Sequence, residues 1–234
     1  MIKTPRRAPP RPYHHGNLVA AIVEAALALL DETQDWTFSL REVARRAGVS
    51  HNAPYKHFPE KRDLLAAVAA RGFDILTERT LSLLDGVTDA RVRLLLCGRA
   101  FITLGMSHPA LYRLMFGPAL SSARSGRPMI EKIAAAKARS VVDAAIVEAA
   151  RTGVFPSSLA GPRESAAAAL AMWSMMHGLT MLTIDDFAGP PEAIEAVVDS
   201  MLGTLLDGIA SNPPKLAANV WLAPRLEEKA RRMG

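Results

Sequence analysis

The chain has 234 residues, 50% hydrophobic and 22% charged, an ordinary globular balance with enough apolar side chains for a sizeable core. Aromatics are only 6% and alanine is abundant, which favours closely packed helices over a β-sandwich. A net charge of +5 is compatible with an acidic polymer partner but does not prove one, and the single cysteine, Cys97, excludes an intrachain disulfide framework and a zinc finger.

Residues 1–16 carry Lys3, Arg6, Arg7 and Arg11, no acid, and four prolines. Such a segment has too little apolar surface to order itself, so residues 1–15 read as a disordered basic arm. No secretory h-region follows it, and with one cysteine the expected setting is the reducing cytoplasm.

Leu18, Ile22, Ala26 and Leu29 recur at helical spacing and predict a first helix to about Asp31. Ser39, with Glu42 three residues on, is a capping-box pattern opening a second helix that stops at Gly48. Ser50 reads as the N-cap of a short third helix reaching Phe58, closed by Pro59. A longer helix runs from Glu60 to about Leu84, and the boundary between a small N-terminal module and a larger bundle falls within it. Thr88 or Asp89 caps another helix that ends near His108–Pro109, and Leu111–Phe116 is a short one. Ser121–Pro128 reads as a loop, Ile130 to Gly153 as a long helix, and Phe155–Pro162 as a second loop. After a Gly189-Pro190-Pro191 break, Ile194, Val197, Val198, Met201, Leu205 and Ile209 mark a last helix, ended at Asn212-Pro213-Pro214 and followed by a basic tail.

Ser165–Ile184 contains no Asp, Glu, Lys or Arg over twenty residues, the length of a membrane span. It holds Ser165, Ser174, His177, Thr180 and Thr183, is followed by Asp185 and Asp186, and has no basic cluster at either end. It reads as a helix buried inside a bundle or at a subunit interface, with no membrane implied. The fold class expected is all-α, with residues 16–62 as a three-helix helix-turn-helix module, 63–215 as a helical regulatory and dimerisation bundle, and 216–234 as a basic tail.

The stretch FSLREVARRAGVSHNAPYKHFPEKRDLL, residues 38–65, carries the chemistry. Ala44 and Gly48 stand four apart; the small side chain admits a crossing helix and the glycine accepts the turn. Val43, Ala47, Val49 and Phe58 form the expected inner side. The outer side shows Ser50, His51, Asn52, Tyr55, Lys56 and His57, with no acid. An acid-free exposed face suits a DNA groove, where phosphates repel carboxylates and polar groups read base edges.

This block resembles the DNA-binding domain of the TetR-type repressors over about residues 15–65, through LREVARRAGVS, Tyr55, His57-Phe58 and Lys61. The helical remainder fits that family's ligand-binding and dimerisation domain by layout, and Trp173, His177 and Gly178 resemble the Trp-His-Gly element of one of its branches. The resemblance implies phosphate contacts from Ser39, Arg41, Tyr55, His57 and Lys61, and base contacts from His51, Asn52 and Ala53; Ser50 and Lys56 share that surface. Pro54 departs from the pattern, standing where many members carry Leu, Ile or Val. In the first turn after Ser50, or just past it, it removes at most an early helical hydrogen bond.

Several residues keep two readings. Tyr55 either faces DNA or packs its ring with only the hydroxyl outside. Arg45 and Arg46 read better as a solvated face than as base readers. His177 shares a helix face with Trp173 and is either a satisfied core histidine, the slightly favoured reading, or a ligand contact. Phe101, Met106, Met115, Phe116, Met129, Trp173, Met176 and His177 are candidates for an apolar effector cavity, although most are equally what a helical core contains. His108 reads as a helix end and Cys97 as buried and inert.

The sequence shows no Gly-rich phosphate loop, nucleophile elbow or metal-ligand cluster, so no enzyme activity and no cofactor are expected. The leading expectation is a homodimeric, ligand-responsive transcription regulator, a repressor by the family's usual outcome. Its partners would be double-stranded DNA, bound at a near-palindromic operator, a second copy of itself, and a small apolar or amphipathic effector. The alternative is a helical adaptor that binds protein and needs no effector.

Overall fold

The computed structural model describes residues 15–121, 126–189 and 193–214, with side chains from Leu18 onward. Most of the predicted arm, the tail, part of the Ser121–Pro128 loop and the Pro190-Pro191 break lie outside the described residues. Among the described residues there are eight α-helices, three short 3-10 turns and no strand.

The small module begins with α1 (His15–Thr33) and α2 (Leu40–Arg46). Ile22, Ala26 and Leu30 of α1, fully buried at helical spacing, pack with Val43 of α2. The capping box at Ser39 is present: its backbone N–H donates to Glu42 Oε2 at 2.6 Å, and the Glu42 N–H donates to Ser39 Oγ at 3.2 Å. The Ser39 backbone N–H and, after it, the Ser39 hydroxyl hold the Glu42 carboxyl below its ordinary pKa. α2 ends in a Schellman motif, with the Val49 N–H on the Ala44 carbonyl and the Gly48 N–H on that of Arg45. Gly48 has φ +67°, the left-handed conformation such an end requires. Phe58 is buried, and Ala47 and Val49 are half-buried against the same core.

The predicted third helix is present as a short 3-10 helix and not as an α-helix. Residues 50–58 form successive turns around a 3-10 element, Pro54–Lys56. The Ala53 N–H bonds to the Ser50 carbonyl and the Lys56 N–H to that of Ala53, both at the shorter 3-10 spacing. Pro54 explains this. It has no N–H for the Ser50 carbonyl, and its ring crowds that carbonyl in an α-helix. Its effect reaches beyond the single early hydrogen bond expected.

α3 (Lys61–Leu84) leaves the module and enters the bundle. It packs against α4 (Ala90–Ser107), α5 (Pro109–Phe116) and α6 (Met129–Arg151). α4 and α5 meet at 112°, with the break at His108 and Pro109 at the first position of α5. α5 also contacts α1, and His108 Nδ1 lies 3.0 Å from Asp31 Oδ2, so a polar strut joins the module to the bundle. The predicted second loop contains a 3-10 turn, Ser157–Ala160, with Phe155 and Leu159 buried against the core.

α7 (Pro162–Ile184) starts three residues before the uncharged stretch, because Pro162 fits a first helical position and the charges of Arg163 and Glu164 point outward. By length and composition α7 would span a membrane. Here its apolar residues serve a core: Ala168, Met172, Met176 and Leu179 are buried, and the helix packs on α4, α6 and α8 (Ile194–Ser211). On α8 the buried stripe is Ile194, Val198, Leu202, Leu206 and Ile209, while Met201 is exposed. The stripe advances by four residues, which turns Met201 onto a second stripe with half-buried Val197 and Leu205. Cys97 is buried on α4, and burial pushes its thiol up to about 11, far from the reactive thiolate form.

Candidate nucleic-acid interface and effector cavity

Two sites emerge, one in each part of the fold. On the module, Ser50, His51, Asn52, Tyr55, Lys56 and His57 are exposed together on the turns after α2. Arg41 and Arg45 are exposed on α2 beside them. Tyr55 is 46% exposed, so its ring stands outside the module core. Ala53 is only 8% exposed: the 3-10 geometry turns it and Pro54 inward, and its expected place among the base-facing residues is lost. Arg46 is tied to Glu32 of α1 by two hydrogen bonds and braces the module.

Two expected phosphate contacts are already engaged. The Ser39 hydroxyl donates to Glu42 Oε2 at 2.8 Å as part of the cap. Lys61 is half-buried with its ammonium 5.2 Å from the Phe38 ring centroid, and that burial lowers its pKa against the pull of Asp35 and Glu42. Either would have to change partners to meet a phosphate.

The bundle holds a partly open cavity of about 320 Å³ among α3, α4, α5, α6 and α7. Phe73 and Leu76 of α3, Phe101 of α4, Met115 and Phe116 of α5, and Trp173 and Met176 of α7 form apolar walls. α6 supplies Ala135, Ala138 and Val142, whose small side chains leave the space open. Of the residues expected there, Phe101, Met115, Phe116, Trp173 and Met176 are brought together. Met106 and Met129 are not: they are 41% and 66% exposed, at a helix end and a helix start that face outward.

His177 lies just behind the wall. Its ring stacks on Trp173 at 5.5 Å between centroids and meets Phe116 edge-on at 5.4 Å. Its Nδ1 is 2.6 Å from the hydroxyl of fully buried Tyr112. Burial holds the Tyr112 phenol above its usual pKa and the His177 imidazole below its own. His177 is half-buried, with the tyrosine hydroxyl as its partner. Gly178 beside it faces open space.

The polar end of the cavity escaped the sequence reading. Arg127 donates to the Met115 carbonyl at 2.7 Å, to the Gly117 carbonyl, and to Glu131 Oε1. Glu131 is 2% exposed in the first turn of α6, and burial raises its pKa against the opposing pull of Arg127. The only hint in the sequence is the i,i+4 spacing of Arg127 and Glu131, which usually marks a solvated helix face.

Two family descriptions match the chain in tandem. "Bacterial regulatory proteins, tetR family" matches residues 22–68, and "Tetracyclin repressor-like, C-terminal domain" matches residues 94–205. No curated protein matches by sequence. Among solved structures, a protein of unknown function from Rhodococcus sp. RHA1 is 29% identical, with TM-score 0.70, covering 86% of this chain and all of that one. A TetR variant from Acinetobacter baumannii AYE, solved with minocycline, is 22% identical with TM-score 0.59, covering 87% of this chain and all of that one. The regulator PfmR from Thermus thermophilus is 21% identical with TM-score 0.57, covering 80% of this chain and 98% of that one. The module, the bundle and their order agree with both matched domains, and the chain belongs to the TetR family of bacterial transcriptional regulators.

Proposed function

We propose that this regulator is a cytoplasmic, ligand-responsive repressor, acting as a homodimer on a near-palindromic operator, with its effector held in the bundle cavity. The observation that carries the reading is α3. One continuous helix starts beside the DNA-facing turns at Lys61 and forms a cavity wall at Phe73 and Leu76. Whatever fills the cavity pushes on the element that positions the module.

DNA contact is assigned to Arg41, Ser50, His51, Asn52, Tyr55, Lys56 and His57, with Asn52 the best candidate for pairing with an adenine. Ser39 and Lys61 join after exchanging their present partners. The dimer face is assigned to the outer sides of α7 and α8. Leu182 and Met201 are 49% and 39% exposed there, and Gly178 and Gly208 leave room for a close approach.

The test is selection of bound duplexes from a random pool, then titration of the selected site. Affinity should fall steeply with salt, and Asn52→Ala should weaken specific binding by roughly 1–3 kcal/mol while sparing random DNA. Salt-independent binding without preference over random duplex would sink the proposal.

A further inference from the structure

The connection between α5 and α6 is gripped by two arginines from different sides. On the cavity side, Arg127 donates to the Met115 and Gly117 carbonyls at the end of α5. On the module side, Arg62 Nη2 donates to the carbonyls of Leu120 and Gly126, at 2.9 Å each. Leu120 closes the 3-10 turn that follows α5, and Gly126 immediately precedes Arg127. Leu120 is fully buried and Arg62 half-buried, and a charged donor makes a stronger bond to a carbonyl than a neutral one does.

Arg62 stands where the two sites meet. It is the second residue of α3, beside Lys61 and four residues beyond Phe58, which ends the DNA-facing turns. Of its two acceptors, one lies four residues after Phe116 and the other one residue before Arg127, both of which line the cavity. Met115 and Phe116 are the last two residues of α5, while the His108–Asp31 strut holds the other end of that helix to α1. An occupant that displaces Met115 and Phe116 therefore moves the Leu120 end most. A donor shared between two carbonyls carries that movement to residue 62, along a path separate from the long axis of α3.

We infer that Arg62 is a coupling residue of this regulator: it ties the start of α3 to the cavity wall and passes to the DNA-reading module the displacement that an occupant causes. It acts by positioning α3 and touches neither the duplex nor the occupant. This rests on the reading of the cavity as the effector site, and it adds the contact through which the module senses that site.

The test measures how much filling the cavity weakens binding of a duplex selected from a random pool, with and without Arg62. Ala138→Phe fills the cavity from α6 and stands in for an occupant. In the otherwise wild-type protein it should weaken binding about tenfold or more, an ordinary coupling between two sites. In Arg62→Met the same substitution should weaken binding by less than about threefold, a comparison in which any effect of Arg62 on stability alone cancels. Arg62→Lys, whose ammonium donates to the same carbonyls, should keep most of the wild-type factor. Arg62→Met by itself should leave the salt dependence of binding unchanged, because its partners are carbonyls and not phosphates.

Equal factors in the wild type and in Arg62→Met overturn the coupling role while leaving the cavity as an effector site. A shallower salt dependence in Arg62→Met makes Arg62 a phosphate contact and overturns the role as well. Unchanged or tighter DNA binding in Ala138→Phe overturns the effector-site reading and this inference with it. Circular dichroism melting checks that each variant folds, and Ala138→Leu, which fills part of the same space, replaces Ala138→Phe should that variant not fold.

Discussion

Arg127→Met is the most informative single change to the bundle. Arg127 donates to the carbonyls of Met115 and Gly117 and to Glu131, so it ties the end of α5 to the start of α6. Each charged-donor bond to a carbonyl contributes about 1.5–3 kcal/mol. Removing one partner of a buried ion pair costs about 3–5 kcal/mol, because the other charge is left uncompensated. The two costs overlap, since one relaxation relieves both, and a net loss of about 4 kcal/mol at neutral pH is expected.

The pH dependence identifies the cause. Glu131 already sits above its ordinary value of 4.5 through burial, with Arg127 opposing, and the substitution removes that opposition. A carboxyl with a raised native pKa binds its proton more tightly when folded. Its stabilisation is therefore complete below the unfolded value and is lost as pH rises through the native one. The deficit of Arg127→Met should be smallest in mild acid and grow as pH rises through the raised native value of Glu131. Urea unfolding at fixed protein concentration, across that range, measures it. Glu131→Leu added to Arg127→Met should recover much of the loss and flatten its pH dependence. A deficit independent of pH, or no recovery in the double variant, would refute the buried-charge account.

Three further outcomes follow from the packing and the turns. Gly105→Ala should destabilise by about 1–3 kcal/mol in thermal or urea unfolding, because a Cβ there would run into Thr180 Cγ2 on α7, and β-branched Thr180 has little room to turn. Gly48→Ala meets no neighbour, so only its left-handed backbone opposes the change; a loss of about 1–2 kcal/mol is expected, and a neutral result would mean that the turn rearranges. Pro54→Leu restores an N–H for the Ser50 carbonyl and should convert residues 50–58 toward an α-helix, seen as slower amide exchange across 54–57; unchanged exchange would assign the 3-10 conformation to packing.

The capping box at Ser39, the stop at Gly48 and the long helices were legible because they depend on local rules of capping and period. The conformation of residues 50–58 was not, even with Pro54 in view, because the family pattern outweighed the loss of one donor. The inward turn of Ala53 follows from that same 3-10 geometry. In the cavity, large aromatics on α4, α5 and α7 could be proposed from residue type. Met106 and Met129 could not be excluded, since exposure at a helix terminus is set by which neighbours arrive. Glu131 was invisible for the opposite reason: glutamate is almost never fully buried, and only the tertiary arrival of Arg127 explains why it is here.

The continuity of α3 has a mechanical consequence. Leu76 on the cavity wall stands fifteen residues from Lys61, a lever arm of about 22 Å at 1.5 Å per residue. A tilt of about 5° at the wall displaces the far end by about 2 Å if the helix stays straight. In the proposed dimer both arms swing, so the two reading surfaces shift by up to about 4 Å against a half-site spacing of about 34 Å. That is about one base-pair rise, enough to put the second half-site out of register once the first is engaged. An occupant no larger than the cavity thus has the leverage to release a duplex it never touches.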